Sequence, residues 1–429
     1  RPPRAKGGHP LPRGAWLMVD HSPFSGCGWT CFGIIVVIDS LLIFGFLLWQ
    51  GAVPSFWNDP DSIFFESPVQ QNLPAGQDVP PHPPSSPVAA PPPPYGSATM
   101  TGPQWLYFCI ECFCNFTVAL ICISLCGAYL HRIRYKRRLT TQMAPESERR
   151  VSYVTGVTVL LPCYMPNEKA ILPATVQHII EKIEYPQPFD LILCYNSPKP
   201  VEPAESEWAA LNGHVYENGR TLRVMKIEGS KSKAENLNAA LDAVDTENVM
   251  IYDADHHADA DSLMIATEFM KVKDCKCVQG STYIRYKPNF LAKLIDAEFF
   301  VIFFCFFPAT QFLSKVGIFG GSNALWKTDV LKKYKFRHDV QTEDVDLSTR
   351  VGKDQVKIRF CPESRSGELP PANFAALWKQ RLRWEIGWDQ VSLQHMASIR
   401  KSKLPVLRKL ALYYWLPWRG LMLTTPALN

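Results

Sequence analysis

Two aspartates one residue apart, Asp253 and Asp255, follow a short apolar run at 249–252 and precede His256 and His257. Alternation along an extended chain puts both carboxylates on one side as the backbone leaves a sheet. Such a pair can hold a hard divalent cation. Magnesium and manganese take one or two protein carboxylates and complete their shell with phosphate oxygens. The neighbouring histidines would suit zinc, but nothing else completes such a site. Taken alone, the pair reads equally well as a solvated turn.

Other clusters share this character. Before the aspartates, Lys233 stands near the start of a helical phrase, GSKSKAENLN at 229–238. There it can reach a pyrophosphate, helped by free backbone N–H groups and the helix dipole. Further upstream, PCYMPNE at 162–168 breaks a strand and leaves Tyr164 and Glu168 on a loop at the sheet edge. Downstream, GIFGGSNALW at 317–326 contains a glycine pair, where backbone must turn sharply or approach a ligand closely. Thr342-Glu343-Asp344 and Gln380-Arg-Leu-Arg383-Trp384 follow. Read singly, the acids also suit a helix cap and Trp384 a core.

These residues need a scaffold. Short β-rich runs at 157–161, 191–194, 222–227, 249–252 and 277–282 alternate with helical stretches at 170–183, 232–243 and 261–272. That alternation predicts an α/β domain with a mostly parallel sheet covered on both faces. Ligands in such sheets sit beyond the carboxyl ends of the strands. Most of the clusters above follow a strand.

The ordered set D-x-D, G-G-S-N, T-E-D and Q-x-x-R-W resembles the processive family 2 glycosyltransferases, among them cellulose, chitin, hyaluronan, curdlan and cyclic β-glucan synthases. The likeness runs from about Val157 to Leu393. LLPCYMPNE, GSKSKAENLNAAL, DADHH, GIFGGSNALW and QRLRWEIGW are similar to bacterial β-glucan synthases of the cyclic-glucan or curdlan type. The resemblance implies a GT-A fold (Rossmann-like) using a UDP-sugar with Mg2+ or Mn2+. It implies that Asp253 and Asp255 hold the metal, with His256 nearby, and that Lys233 meets the diphosphate. Tyr164 and Glu168 would border the nucleoside. Asp344, beside Glu343, would be the general base. Gln380, Arg383 and Trp384 would close over the diphosphate and floor the acceptor sugar. Gly321, Ser322 and Asn323 would line the acceptor side. One departure concerns the base: Asn196 stands where many relatives carry an Asp that meets uracil.

The chemistry agrees with these roles. An acceptor hydroxyl is a poor nucleophile and needs a carboxylate to take its proton. A leaving diphosphate wants a cation and an Arg or Lys. A single displacement on an α-linked donor inverts the anomeric carbon and gives a β linkage. The expected activity is hexosyl transfer, with glucose as the expected sugar, onto a growing β-linked polysaccharide. The alternative is one transfer to a lipid, as in ceramide glucosylation.

Composition supplies the setting. The net charge of +5 is too small to argue for nucleic acid. Residues 28–49 and 105–130 are each long and apolar enough to cross a bilayer. Residues 50–104 contain no Lys or Arg and are rich in proline, whereas HRIRYKRR follows the second span. The positive-inside rule then puts the tail at 1–27 and everything after His131 in the cytoplasm, and the linker outside. Residues 131–150 form a basic juxtamembrane segment and 151–400 the catalytic domain. Residues 401–429 are expected to be an interfacial helix leading toward further spans, and the apolar run 297–308 a helix at the membrane surface. An integral multi-pass protein follows, completed by an oligomer or by accessory export subunits. Of the 13 cysteines, those in the second span read as apolar fillers.

Overall fold

The computed structural model describes residues 102, 103, 105–112, 126 and 154–416. The chain divides into two compact units, 1–118 and 119–429. In the first, the described residues are helical. Among the described residues no helix is long and apolar enough to cross a membrane. The expected span at 28–49 lies outside the described residues. So do most of the linker, most of the span at 105–130, the basic segment and residues 417–429.

The first strand described in the second unit is β1 (Val157–Tyr164), whose residues are buried from Val157 through Cys163. An unbroken apolar run of this kind is what a strand covered on both faces requires. A single turn, α1 (Met165–Glu168), then leads to α2 (Leu172–Lys182). β2 (Asp190–Asn196), α3 (Ala204–Ala210), the short β3 (His214–Val215) and β4 (Thr221–Lys226) follow. α4 (Lys233–Asp242) starts where the sequence signals it. Ser232 accepts from the Glu235 N–H at 3.2 Å, and the Glu235 carboxylate accepts from the Lys231 N–H at 2.6 Å. This reciprocal cap satisfies donors a helix start leaves bare.

β5 (Asn248–Ile251), β6 (His257–Ala258), α5 (Ser262–Lys273) and β7 (Cys277–Ile284) come next. α6 (Phe290–Phe300) runs through a π-helical stretch, Val301–Phe306, into α7 (Phe307–Ser314). The chain closes with β8 (Ala324–Lys327), α8 (Thr328–Tyr334), α9 (Glu343–Lys353), β9 (Ile358–Glu368), α10 (Phe374–Lys401) and α11 (Val406–Trp415).

The strands form one sheet in the order β3-β4-β2-β1-β5-β8-β7-β9-β6. β4, β2, β1 and β5 are parallel neighbours. Beyond β5 the sheet is mixed: β8 lies antiparallel to both β5 and β7, and β9 parallel to β7. The expected "mostly parallel" sheet is thus corrected to a mixed one. β8 arrives from the glycine-rich loop next to β5 and so enters in reverse.

Alternation divides the core. Val159 and Leu161 of β1 face α2 and α5, whereas Leu160 faces α4, α8 and α9. Each fully buried Leu of this kind stabilises by roughly 1.5–3 kcal/mol. The apolar run expected at a membrane surface turns one face toward the sheet. Phe299, Phe303 and Phe307 are buried and pack near Phe360 of β9.

Candidate active site

A cavity of about 1370 Å³ opens along the carboxyl edge of the central strands. It exceeds a usual single-ligand pocket of about 300–1,000 Å³ and has room for two reactants.

Each central strand delivers a residue to one wall. After β1 the chain turns through α1, and the Glu168 carboxylate accepts from the Tyr164 N–H at 2.6 Å. Burial raises the Glu168 carboxyl, and the charge of Asp253 adds to the rise. At the end of β2, Asn196 is engaged within the protein. Its Nδ2 donates to the Ser230 carbonyl at 3.0 Å, and its Oδ1 accepts from Asn236 at 2.8 Å. Asn236, absent from the sequence expectations, also donates to the Cys163 carbonyl at 3.3 Å and joins three segments beneath the cavity. Its only sequence signal is a polar residue on the buried face of α4.

β5 ends beside the two aspartates. The Asp253 N–H donates to Ser322 Oγ at 3.0 Å, tying the D-x-D to the glycine loop. Burial, then the charges of Glu368, Asp253 and Glu168, push Asp255 up to about 7. Glu368 is an acid that sequence reasoning missed, because it ends β9, an unanticipated strand. His256 is buried, with Nδ1 3.0 Å from Ser366 Oγ and Nε2 3.2 Å from Glu368. Both ring nitrogens are therefore engaged within the protein. Among the described residues no three His, Cys, Asp or Glu side chains converge to hold a metal by themselves.

Lys233 stands between two groups of acids. Its ammonium pairs with Asp253, lies 3.8 Å from Glu343 and donates to the Gly321 carbonyl at 2.9 Å. Burial pulls the ammonium down, but Asp253 and Glu343 outweigh it and hold Lys233 above its ordinary range.

The opposite wall is held by long-range struts. Gly321 has φ +87°, and a Cβ there would sit 3.0 Å from Asp344 Oδ2. Ser322 lines the cavity. Asn323 corrects the expectation of an acceptor contact: it is fully buried at 0 % exposure. Its Nδ2 donates to the Ser281 and Ser364 carbonyls at 2.9 and 3.0 Å. Gln279, also unanticipated, accepts from the Gly320 N–H at 2.8 Å and donates to the Ser322 carbonyl at 2.9 Å.

Glu343 and Asp344 open α9 at the cavity floor. Burial, then the neighbouring Glu343, raise Asp344 to about 7, against the opposing pull of Lys233 and Arg383. α10 brings Gln380, Arg383 and Trp384 to the same cavity. Arg381 lies over the Trp384 ring, 4.1 Å from its centroid, and bonds Glu298 of α6 at 2.6 Å. Phe303, Phe307, Trp388 and Trp415 extend the aromatic lining. The cavity thus joins a carboxylate pair, a cation, a carboxyl poised near neutrality and an aromatic floor.

Residues 130–387, more than half of the chain, match the profile described as glycosyltransferase like family 2. The chain belongs to that family. Its curated relatives include the poly-β-1,6-N-acetyl-D-glucosamine synthase of Staphylococcus epidermidis, 27 % identical over 262 residues. The synthase of the same name from Staphylococcus aureus (strain COL) is 25 % identical over 272 residues. These matches cover 61 % and 63 % of this chain. The chain spans 60 % of the length of the first and 63 % of the second. Among solved structures, it is similar to a mannosyltransferase from Pyrobaculum calidifontis in complex with GDP-Man and Mn2+. The TM-score is 0.46 at 23 % identity, over 73 % of this chain and 86 % of that one. A second likeness is to residues 1–349 of Staphylococcus aureus TarS in complex with UDP-GlcNAc. Here the TM-score is 0.42 at 15 % identity, over 61 % of this chain and 71 % of the other. These structural likenesses are slight.

Proposed function

We propose that this cavity transfers a sugar from a UDP-sugar to the hydroxyl of a growing β-linked polysaccharide, by one inverting displacement on a GT-A-type domain. The observation that carries the reading is the placement of Lys233 between Asp253 on one wall and Glu343–Asp344 on the other. A donor held at the first wall brings its anomeric carbon toward the second.

The donor wall suits a divalent cation. Asp255 is raised because it is buried among Glu368, Asp253 and Glu168, an excess of negative charge that a cation would relieve. Asp253 and Asp255 would hold Mg2+ or Mn2+ in partnership with the diphosphate, whose oxygens supply the ligands the protein lacks. Held there, such an ion would supply charge stabilisation for the leaving diphosphate. His256 is better employed as a prop between Ser366 and Glu368 than as a ligand. Lys233 and Arg383 add positive charge at the leaving group, and Tyr164 and Glu168 border the nucleoside. Asn196 shapes the base pocket through Asn236 and Ser230.

At the other wall, Asp344 accepts the proton of the acceptor hydroxyl while the new C–O bond forms and the bond to the diphosphate breaks. A carboxyl titrating near neutrality suits that task. Trp384 offers the face opposite Arg381 to the C–H groups of a sugar ring, and Gln380 its amide to hydroxyls. The domain works at the cytoplasmic face of a membrane, anchored through spans at 28–49 and 105–130. Motif wording favours glucose as the donor sugar, whereas the relatives' names favour N-acetylglucosamine.

The test is to incubate the purified full chain and Mg2+ or Mn2+ with labelled UDP-glucose and UDP-N-acetylglucosamine. The product is then digested with linkage-specific glycanases. Label entering a β-linked product from one donor is the expected result. Binding of UDP without incorporation from any UDP-sugar would overturn the reading.

A further inference from the structure

A seam joins α10 to the loop and helix that carry Asp344. Gly387 is buried against Thr342: a Cβ there would lie 2.5 Å from Thr342 Cγ2 and 2.8 Å from its backbone nitrogen. Only a residue without a side chain admits this approach. The preceding residue, Gln341, is held through both its backbone N–H and its carbonyl. The Gln341 N–H donates to Gln390 Oε1 at 2.9 Å, and its carbonyl accepts from Arg383 Nη1 at 3.3 Å. One turn further on, buried Val391 joins the same apolar cluster as Val345 of α9.

Beyond them lies Asp346, at 0 % exposure. Its Oδ2 accepts from Arg350 Nε at 2.7 Å, and its Oδ1 is 2.8 Å from His395 Nε2. On the other side of that ring, Lys353 Nζ lies 3.1 Å from Nδ1 and 2.8 Å from Ser398 Oγ. The Lys353 ammonium has no acceptor capacity, so it donates to Nδ1 and leaves the N–H on Nε2 to face Asp346. From 387–342 through 391–345 and 395–346 to 398–353 the pairs rise in step along α10 and the segment 342–353, and the 390–341 bond anchors the start of that segment. The cavity face, Gln380, Arg383 and Trp384, lies less than two turns before Gly387 on the same helix.

We propose that Gly387 and His395 are positioning residues. The seam they hold fixes Asp344 and the Gln380–Arg383–Trp384 face as one unit, so that closure over the donor also places the base. The inference rests on the glycosyl-transfer reading of the cavity. Without the seam, α10 could still meet the diphosphate while Asp344 drifted from the acceptor hydroxyl. A misplacement of about 1 Å can cost ~10²-fold in rate.

Full-length G387A, H395A and H395Q are compared with wild type for turnover, UDP affinity by calorimetry and unfolding temperature. Turnover should fall about 10²-fold in G387A and H395A, with UDP affinity unchanged. H395Q, whose amide N–H can replace Nε2–H toward Asp346, should regain most of the lost rate. If G387A does not fold, the two His395 variants decide. Turnover equal to wild type in H395A would overturn the inference and leave the function standing. So would parallel loss of UDP affinity and unfolding temperature without rescue by H395Q, which would make the seam a matter of folding alone. A wild-type chain that binds no UDP and transfers no sugar would overturn both.

Discussion

The parallel half of the sheet and its mixed half place their functional residues in different ways. In the first, adjacency suffices: Glu168 follows β1, Asn196 ends β2, Lys233 follows β4 and Asp253 follows β5. In the second, the residues around the proposed acceptor wall are braced across long stretches of chain. Gln279 holds Gly320, Asn323 ties Ser281 to Ser364, and Gly387 admits Thr342. A lesion in the donor half should therefore cost function with little cost in stability. A lesion in the braces should cost both.

The largest effect belongs to the donor half. Asp255→Asn should abolish transfer, because the buried carboxyl stands with Asp253 where β5 ends and is half of the proposed cation site. Its circular dichroism and unfolding temperature should match or exceed wild type. Transfer that survives the substitution, or survives excess chelator in wild type, would detach the D-x-D from catalysis. It would also remove the functional side of the contrast.

Asp344 lies at the boundary of the halves. Asp344→Asn should lower turnover by about 10²–10⁴-fold, the range for losing a general base, while UDP binds as before. In wild type the base works when ionised. With Asp344 raised to about 7, turnover should fall as pH drops below about 7. A rate flat from pH 8 to 5 would exclude this carboxyl as the base, and loss of UDP binding in the Asn variant would move it to the donor wall.

The braces should show the opposite pattern. Asn323 sits at φ +47° with its amide bonded to two backbone carbonyls. Asn323→Ala removes both bonds and puts a less tolerant residue in the left-handed region. The cost should be about 2–4 kcal/mol of stability. Denaturant unfolding would measure it, and activity should fall with the folded fraction. A variant as stable as wild type but inactive would return Asn323 to the acceptor site.

The same contrast governs what the sequence disclosed. The donor half was legible because its strands are apolar runs followed at once by the residues they present. In the other half, Ala324–Lys327 is too short and Ile358–Glu368 too mixed to read as strands, since Pro362, Arg365 and Gly367 interrupt the pattern. Glu368 was hidden for that reason. Asn323 was grouped with its loop because neighbouring residues share a motif, although one faces the cavity and the next the core. Pairings such as Asp346 with His395, 49 positions apart, have no local signature.

The smallest effect sharpens the comparison most, since it separates function from stability at one residue. An Asp raised from 3.8 to about 7 binds its proton more tightly in the folded state. Its contribution to stability is therefore full below pH 3.8 and is lost as pH rises through about 7. Above that, the fold carries an ionised carboxylate beside Glu343 that it would hold more easily neutral. Asp344→Asn removes this burden. A shift of that size has an upper limit of about 4 kcal/mol, and water in an open cavity screens most of it, leaving roughly 1 kcal/mol. The Asn variant should then unfold about 2–4 °C higher than wild type at pH 8, with the difference closing toward pH 4. Scanning calorimetry in chelator at both values measures it. A variant less stable than wild type at pH 8 would make Asp344 a brace like Asn323, and the boundary between the two halves would move past it.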